Sequence, residues 1–185
     1  QRRGDQLEVS ESIYWDVDFP RLDQRDSTLT EADHIANVRA ALLEAVEMRM
    51  VADVPVGCYL SGGIDSCSIL GLASAVSQGP VKAFTIGFDD ARYDETPIAA
   101  EMAEATGAEQ DVMHLSGREL YGHMEQTLWH TERTIYNTLA VAKYLMSRHV
   151  NSVDYKVVMT GEGSDELFGG LSLIHISEPT RLERI

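Results

Sequence analysis

Residues 61–66, Ser-Gly-Gly-Ile-Asp-Ser, stand between a short apolar run, Val54–Leu60, and a run with helical spacing, Ile64–Ser77. A buried strand that passes through two glycines into a helix start constrains the fold strongly. It belongs in a parallel α/β sheet, with ligands held at the carboxyl ends of the strands. The glycines let backbone approach a ligand closely. The N–H groups of the helix start, aided by the macrodipole, attract an anion, and Ser61 and Ser66 offer hydroxyls. Asp65 would repel a phosphate directly. The loop therefore suits a polyphosphate with a cation between it and Asp65, for which Mg²⁺ is the natural choice. It is not a Walker A loop, since the chain has no G-x-x-x-x-G-K-[ST] and no lysine near residue 61.

The rest of the chain repeats the strand–helix alternation. Thr30 is placed to cap a helix whose apolar stripe is Ile35, Val38, Leu42, Ala45 and Val46. Val81–Phe88 reads as a strand. Thr96 and Pro97 suit the cap and first position of a helix that stops at Gly107. Gln110–Leu115 is a further strand candidate. Ser116 with Glu119 is a capping-box signal for a helix carrying Leu120, Met124 and Leu128. Leu139–Val150 reads as helix and Tyr155–Thr160 as the last strand. The fold class expected is α/β, a doubly wound parallel sheet with both glycine-rich motifs at strand ends.

Those motifs carry a resemblance. SGGIDS resembles the pyrophosphate loop of the N-type ATP pyrophosphatases. Together with VADVPVGCYLSGGIDS (51–66), KAFTIGFDD (82–90) and YKVVMTGEGSDELFGG (155–170), it is similar to the synthetase domain of glutamine-hydrolysing asparagine synthetases. The resemblance runs from about Tyr14 to Gly170 and implies an adenine nucleotide alpha hydrolase-like fold. It implies residues 1–13 as the end of an upstream glutaminase domain, 14–30 as a linker and 31–170 as an incomplete synthetase domain. Residues 171–185, beginning LSLIHISEPTR, resemble instead the translation of a transposase-type sequencing adapter. The fragment alone is expected to be inactive.

The resemblance further implies a reaction, aspartate, ATP and glutamine giving asparagine, AMP, pyrophosphate and glutamate through β-aspartyl-AMP. The implied cofactors are ATP and Mg²⁺. Ser61, Gly62, Gly63, Asp65 and Ser66 would hold the pyrophosphate, and Asp65 and Asp165 the metal. Leu60, Ile86, Thr160 and Gly161 would contact the adenosine, and Glu162 would act on the attacking ammonia or the substrate amine. A β-lactam synthetase-like enzyme with another acyl acceptor, and a nucleotide-binding module without catalysis, are the alternatives. The glutaminase domain of the same parent chain is the implied partner, and a homodimer is compatible with the pattern.

Charge narrows the partners further. The formal net charge is −15, and the lysines are Lys82, Lys143 and Lys156. Such a surface repels nucleic acid and anionic membranes. No stretch reaches the roughly 18 apolar residues of a membrane span, so a cytoplasmic protein is expected. Cys58 and Cys67 flank the loop without metal-ligand spacing and read as small apolar packers. His114, His123 and His130 are scattered, and Asp89, Asp90, Asp94 and Glu95 read as a solvated acidic turn.

Overall fold

The computed structural model describes residues 2–3, 6–7, 9–16, 21–24, 26 and 28–169. The expected tail, 171–185, lies outside the described residues, as do Gly170 and the linker's Val17–Pro20 segment. The chain divides into two compact units, residues 1–39 and 40–185. In the first, β1 (Arg2–Arg3) pairs antiparallel with β2 (Gln6–Leu7), and a 3₁₀ turn covers Leu22–Gln24.

Helix α1 (Glu31–Met50) starts as its sequence predicts. Thr30 Oγ accepts from the Asp33 N–H at 3.3 Å, and Asp33 Oδ2 accepts from the Thr30 N–H at 2.8 Å. This reciprocal cap satisfies two orphan donors. The expected stripe is buried only in its second half. Val46 is 3% exposed, whereas Ile35 and Val38 are 61% and 42% exposed.

The second unit is a four-stranded parallel sheet: β3 (Val56–Tyr59), β4 (Lys82–Phe88), β5 (Glu109–Leu115) and β6 (Val157–Met159). Their order is β5-β4-β3-β6. The chain builds outward from β3 in one direction and then returns to pair β6 on its other side, with Val56 opposite Val157 and Cys58 opposite Met159. That reversal makes a crevice beyond the carboxyl ends of β3 and β6.

Both faces of the sheet are covered, and strand alternation decides which residue meets which layer. Cys58, Leu60, Ala83 and Met159 pack with α1, α2 (Ile64–Val76) and α3 (Thr96–Thr106), around Leu70, Ala73, Ala99 and Ala103. On the other face, Phe84, Ile86 and Val158 meet α6 (Leu139–Ser152) through Met146 and Val150. Phe84 is 1% exposed and lies edge-on to Tyr155, centroids 5.3 Å apart. Nearer Leu115, α4 (Gly117–Gly122) and α5 (Met124–Thr131) add Leu120 and Met124.

Two local expectations are corrected. Thr96 is the first residue of α3 rather than its cap, which is Glu95: the Asp94 carboxylate accepts from both the N–H and the hydroxyl of Thr96 and holds it within the first turn. The single helix expected through Leu120, Met124 and Leu128 is two. His123, whose N–H bonds to the Glu119 carbonyl, ends α4 and caps α5 just after the poor helix former Gly122. Among the described residues no helix is long and apolar enough to cross a membrane.

Candidate active site

Strand β3 delivers Ser61 to the crevice, and its hydroxyl organises the turn that follows. The Ser61 N–H donates to Ser66 Oγ at 3.2 Å, and the Gly63 N–H donates to Ser61 Oγ at 3.3 Å. The Ser66 hydroxyl donates to the Gly63 carbonyl at 3.1 Å. A hydroxyl has one proton to give, so the 3.1 Å contact between the two serines is a donation from Ser61. Both hydroxyl protons are thus spent inside the loop. What remains for an anion is the first turn of α2, where the N–H groups of Ile64, Asp65 and Ser66 have no backbone partner among the described residues. The serines shape this loop, and the helix start supplies its donors.

Gly62 has φ +88° and stands with its α-carbon against Ile98 and Ala99 of α3, where a Cβ would come 3.2 Å from Ile98 Cβ and 3.3 Å from the Ala99 nitrogen. It fixes the turn without lining the crevice. The second motif begins where β6 ends. Gly161 packs onto the first loop so closely that a Cβ there would lie 2.7 Å from Asp65 Cβ and 3.0 Å from the Ser66 nitrogen. Only glycine admits this contact between two loops so far apart in the sequence. Past it, Gly163 takes a left-handed conformation and Asp165 and Glu166 open the short helix α7 (Ser164–Phe168).

Between the loops lies a cavity of about 500 Å³. Of the residues predicted from sequence, Leu60, Ser61, Gly63, Asp65, Ser66, Ile86, Thr160, Gly161, Glu162 and Asp165 all line it. The floor is apolar, formed by Phe84, Ile86, Phe88 and Met146, while the rim is acidic. That split suits a flat heterocycle below and a charged chain above. Asp65 and Asp165, the carboxylates expected from sequence to hold a divalent cation, have no ion-pair partner among the described residues, and neither do Glu95 and Glu166 in the same lining. No group of three potential ligand side chains is found among the described residues.

Sequence reasoning passed over three lining residues. Glu95 reads in the sequence as part of a solvated turn, yet with Tyr93 it lines the cavity. Lys143 reads in the sequence only as part of a helix, and its ammonium forms an ion pair with Glu162. The helical register could have signalled it, because Leu139, Ala142, Lys143 and Met146 occupy one face of α6 and all line the cavity. Glu132, Arg133 and Tyr136 do not line it, and Tyr136 is 94% exposed.

The remaining candidates are engaged locally. Cys58 is fully buried, which pushes its thiol up to about 12, and partial burial raises the Cys67 thiol too. Neither is a nucleophile in that state. His130 stacks on Tyr144, and His123 Nδ1 lies 2.8 Å from the Glu119 carbonyl. His114 sits against Gly87.

The sequence pattern of the family described as Asparagine synthase matches residues 37–184. The chain is 36% identical over 183 residues to the amidase chyE of Penicillium rubens, covering 90% of this chain and 27% of that protein. It is 34% identical over 155 residues to asparagine synthetase [glutamine-hydrolyzing] 1 of Bacillus subtilis, covering 83% and 24%. The chain therefore spans about a quarter of the length of these relatives. In fold it is similar to the glutamine-dependent NAD⁺ synthetase of Acinetobacter baumannii, solved with ADP (TM-score 0.50, 20% identity, 75% of this chain and 28% of that one). The sheet is thus of the adenine nucleotide alpha hydrolase-like kind, and the chain belongs to the asparagine synthase family.

Proposed function

We propose that the chain is the ATP-binding part of a longer amide-forming ligase, with aspartate the acid activated and ammonia from glutamine the nitrogen donor. One observation carries this reading: Gly161 lies against Asp65, so that both acidic motifs face one cavity. In the reaction, the aspartate side-chain carboxylate attacks the α-phosphorus of ATP and pyrophosphate leaves. Ammonia then attacks the acyl carbon of β-aspartyl-AMP, releasing AMP and asparagine.

Carboxylate and triphosphate are both anions, so the chief obstacle is charge repulsion and its build-up on the leaving pyrophosphate. The protein must supply position and aimed donors rather than a nucleophile. The first-turn N–H groups of α2 meet the pyrophosphate, with the loop of Ser61, Gly62, Gly63 and Ser66 held rigid by its own hydrogen bonds. The backbone at Leu60, Ile86, Thr160 and Gly161 borders the adenosine. Two carboxylates with no cation beside them fit Mg²⁺, which takes one or two carboxylates together with phosphate oxygens. Asp65 and Asp165 would hold it, and when bound it neutralises charge on the pyrophosphate. Glu162, on the rim, takes a proton from the attacking ammonia or orients the substrate amine. The parent protein would carry its glutaminase domain ahead of residue 14 and work in the cytoplasm.

The test is aspartate-dependent pyrophosphate release by the full-length protein supplied with ATP and ammonia. Release that ignores aspartate removes the asparagine assignment. A second reading keeps the adenylation and changes the acid, and the identity to an amidase over 90% of the chain favours it. Release driven by another carboxylic acid would select that reading.

A further inference from the structure

Lys143 is the only basic residue among the described residues that line the cavity, a lining that also carries the carboxylates of Asp65, Glu95, Glu162, Asp165 and Glu166. It is also the one charged residue on an otherwise apolar face of α6, with Leu139, Ala142 and Met146 above and below it. Its ammonium donates to Glu162 Oε1, and among the described residues neither side chain has a second side-chain partner. The side chains are 51% and 69% exposed. A pair held by one contact in so much water opens at little cost. Opened, it presents a cation and an anion side by side on the rim, the mirror image of the α-carboxylate and α-ammonium of an amino acid.

We propose that Lys143 determines substrate specificity by reading the α-carboxylate of an amino-acid substrate, while Glu162 turns to that substrate's ammonium. The inference rests on the adenylation reading above and names its substrate class. One ion pair opens and two form, so the charge of the rim is unchanged. An acid without an α-carboxylate leaves Lys143 with no partner once Glu162 has turned away, and such unpaired groups are what make polar sites selective. The acid's remaining carboxylate is then left free to face the α-phosphorus.

The experiment compares the full-length protein with its Lys143→Met variant, reading pyrophosphate release with ATP, ammonia and either aspartate or β-alanine, which is aspartate without the α-carboxylate. The expected result is a rise of about tenfold or more in KM for aspartate, with KM for ATP unchanged and partial recovery in Lys143→Arg. The native protein should also prefer aspartate to β-alanine, and the variant should lose most of that preference. An unchanged aspartate KM in the variant overturns the proposal. So does a KM for ATP that rises in step with it, since that marks a packing role. If neither acid nor any other releases pyrophosphate, the adenylation reading falls and this proposal falls with it. Release that favours β-alanine overturns the proposal alone.

Discussion

Toward the amino ends of β4 and β5, Asp111 has both oxygens engaged, with His149 Nε2 at 2.8 Å and Lys82 Nζ at 3.6 Å. At the carboxyl ends of β3 and β6, Asp65 and Asp165 face a cavity with no cation beside them. The same four strands thus carry two acidic sites built on opposite terms. The Asp111 cluster is closed on itself. Its members are 18–29% exposed in their side chains, and each charge has a partner in the fold. The crevice leaves charge unmatched among its own residues, with Lys143 set against five carboxylates. A fold tolerates unmatched charge where a ligand completes it, so the imbalance supports the proposal that this is the working end of the sheet.

That contrast can be broken most directly at Asp65. On the proposal that Asp65 serves a ligand and not the fold, Asp65→Asn should lower pyrophosphate release by about a hundredfold or more while leaving the melting temperature nearly unchanged. A variant with native turnover would place Asp65 on the same structural footing as Asp111. Gly161→Ala should impair both. Its new methyl meets Asp65 backbone, so a loss of about 1–3 kcal/mol in chemical denaturation is expected, together with weakened ATP binding measured by calorimetry. Intact ATP affinity would show that the two loops tolerate separation.

Asp111→Ala should do the converse. It strands Lys82 and His149, and a destabilisation of about 1 kcal/mol, already discounted for water near these groups, should come with unchanged KM values for ATP and acid. A changed KM would mean that the two ends of the sheet communicate. The smallest effect sharpens the comparison beside the cavity, in the turn between the lining residues Tyr93 and Glu95. The Asp94 carboxyl lies below its ordinary value of 3.8, chiefly through the hydrogen bond from the Thr96 hydroxyl. It binds its proton more readily in the unfolded chain. Its stabilisation is therefore complete above the ordinary value and drains away as pH falls through the lower folded one. Denaturation of native protein and Asp94→Ala from about pH 5 to about pH 2 should show a small gap that closes on acidification. A gap that widens would contradict the assignment of Thr96 to Asp94.

Much of this was legible in the sequence because the relevant signals are local. Glycines directly after an apolar run gave away both loops, and Ser116 with Glu119 forms the capping box that its spacing predicts. Cys58 also packs in the core as a small apolar residue. What stayed hidden depends on partners far away in the chain. Nothing near Lys143 indicates that its partner is Glu162, on a loop beyond the end of the same helix and the strand after it. The expected stripe of α1 has the right period, but Ile35 and Val38 lie in the other compact unit and stay exposed. Thr96 has the right chemistry for a cap and was claimed by a nearer acceptor, Asp94.

The pairing of Val56 with Val157 also sets a timetable. Strand β3 gains one neighbour from β4 early, but its other edge stays bare until β6 arrives after four further helices and a strand. Closing so long a loop is slow, and a bare strand edge invites pairing with other chains in the meantime. The last step that protects the sheet is therefore the same step that seats Gly161 on Asp65. A nucleotide that binds there would recognise only molecules that have finished folding, and its presence during synthesis or refolding should raise the yield of unaggregated protein.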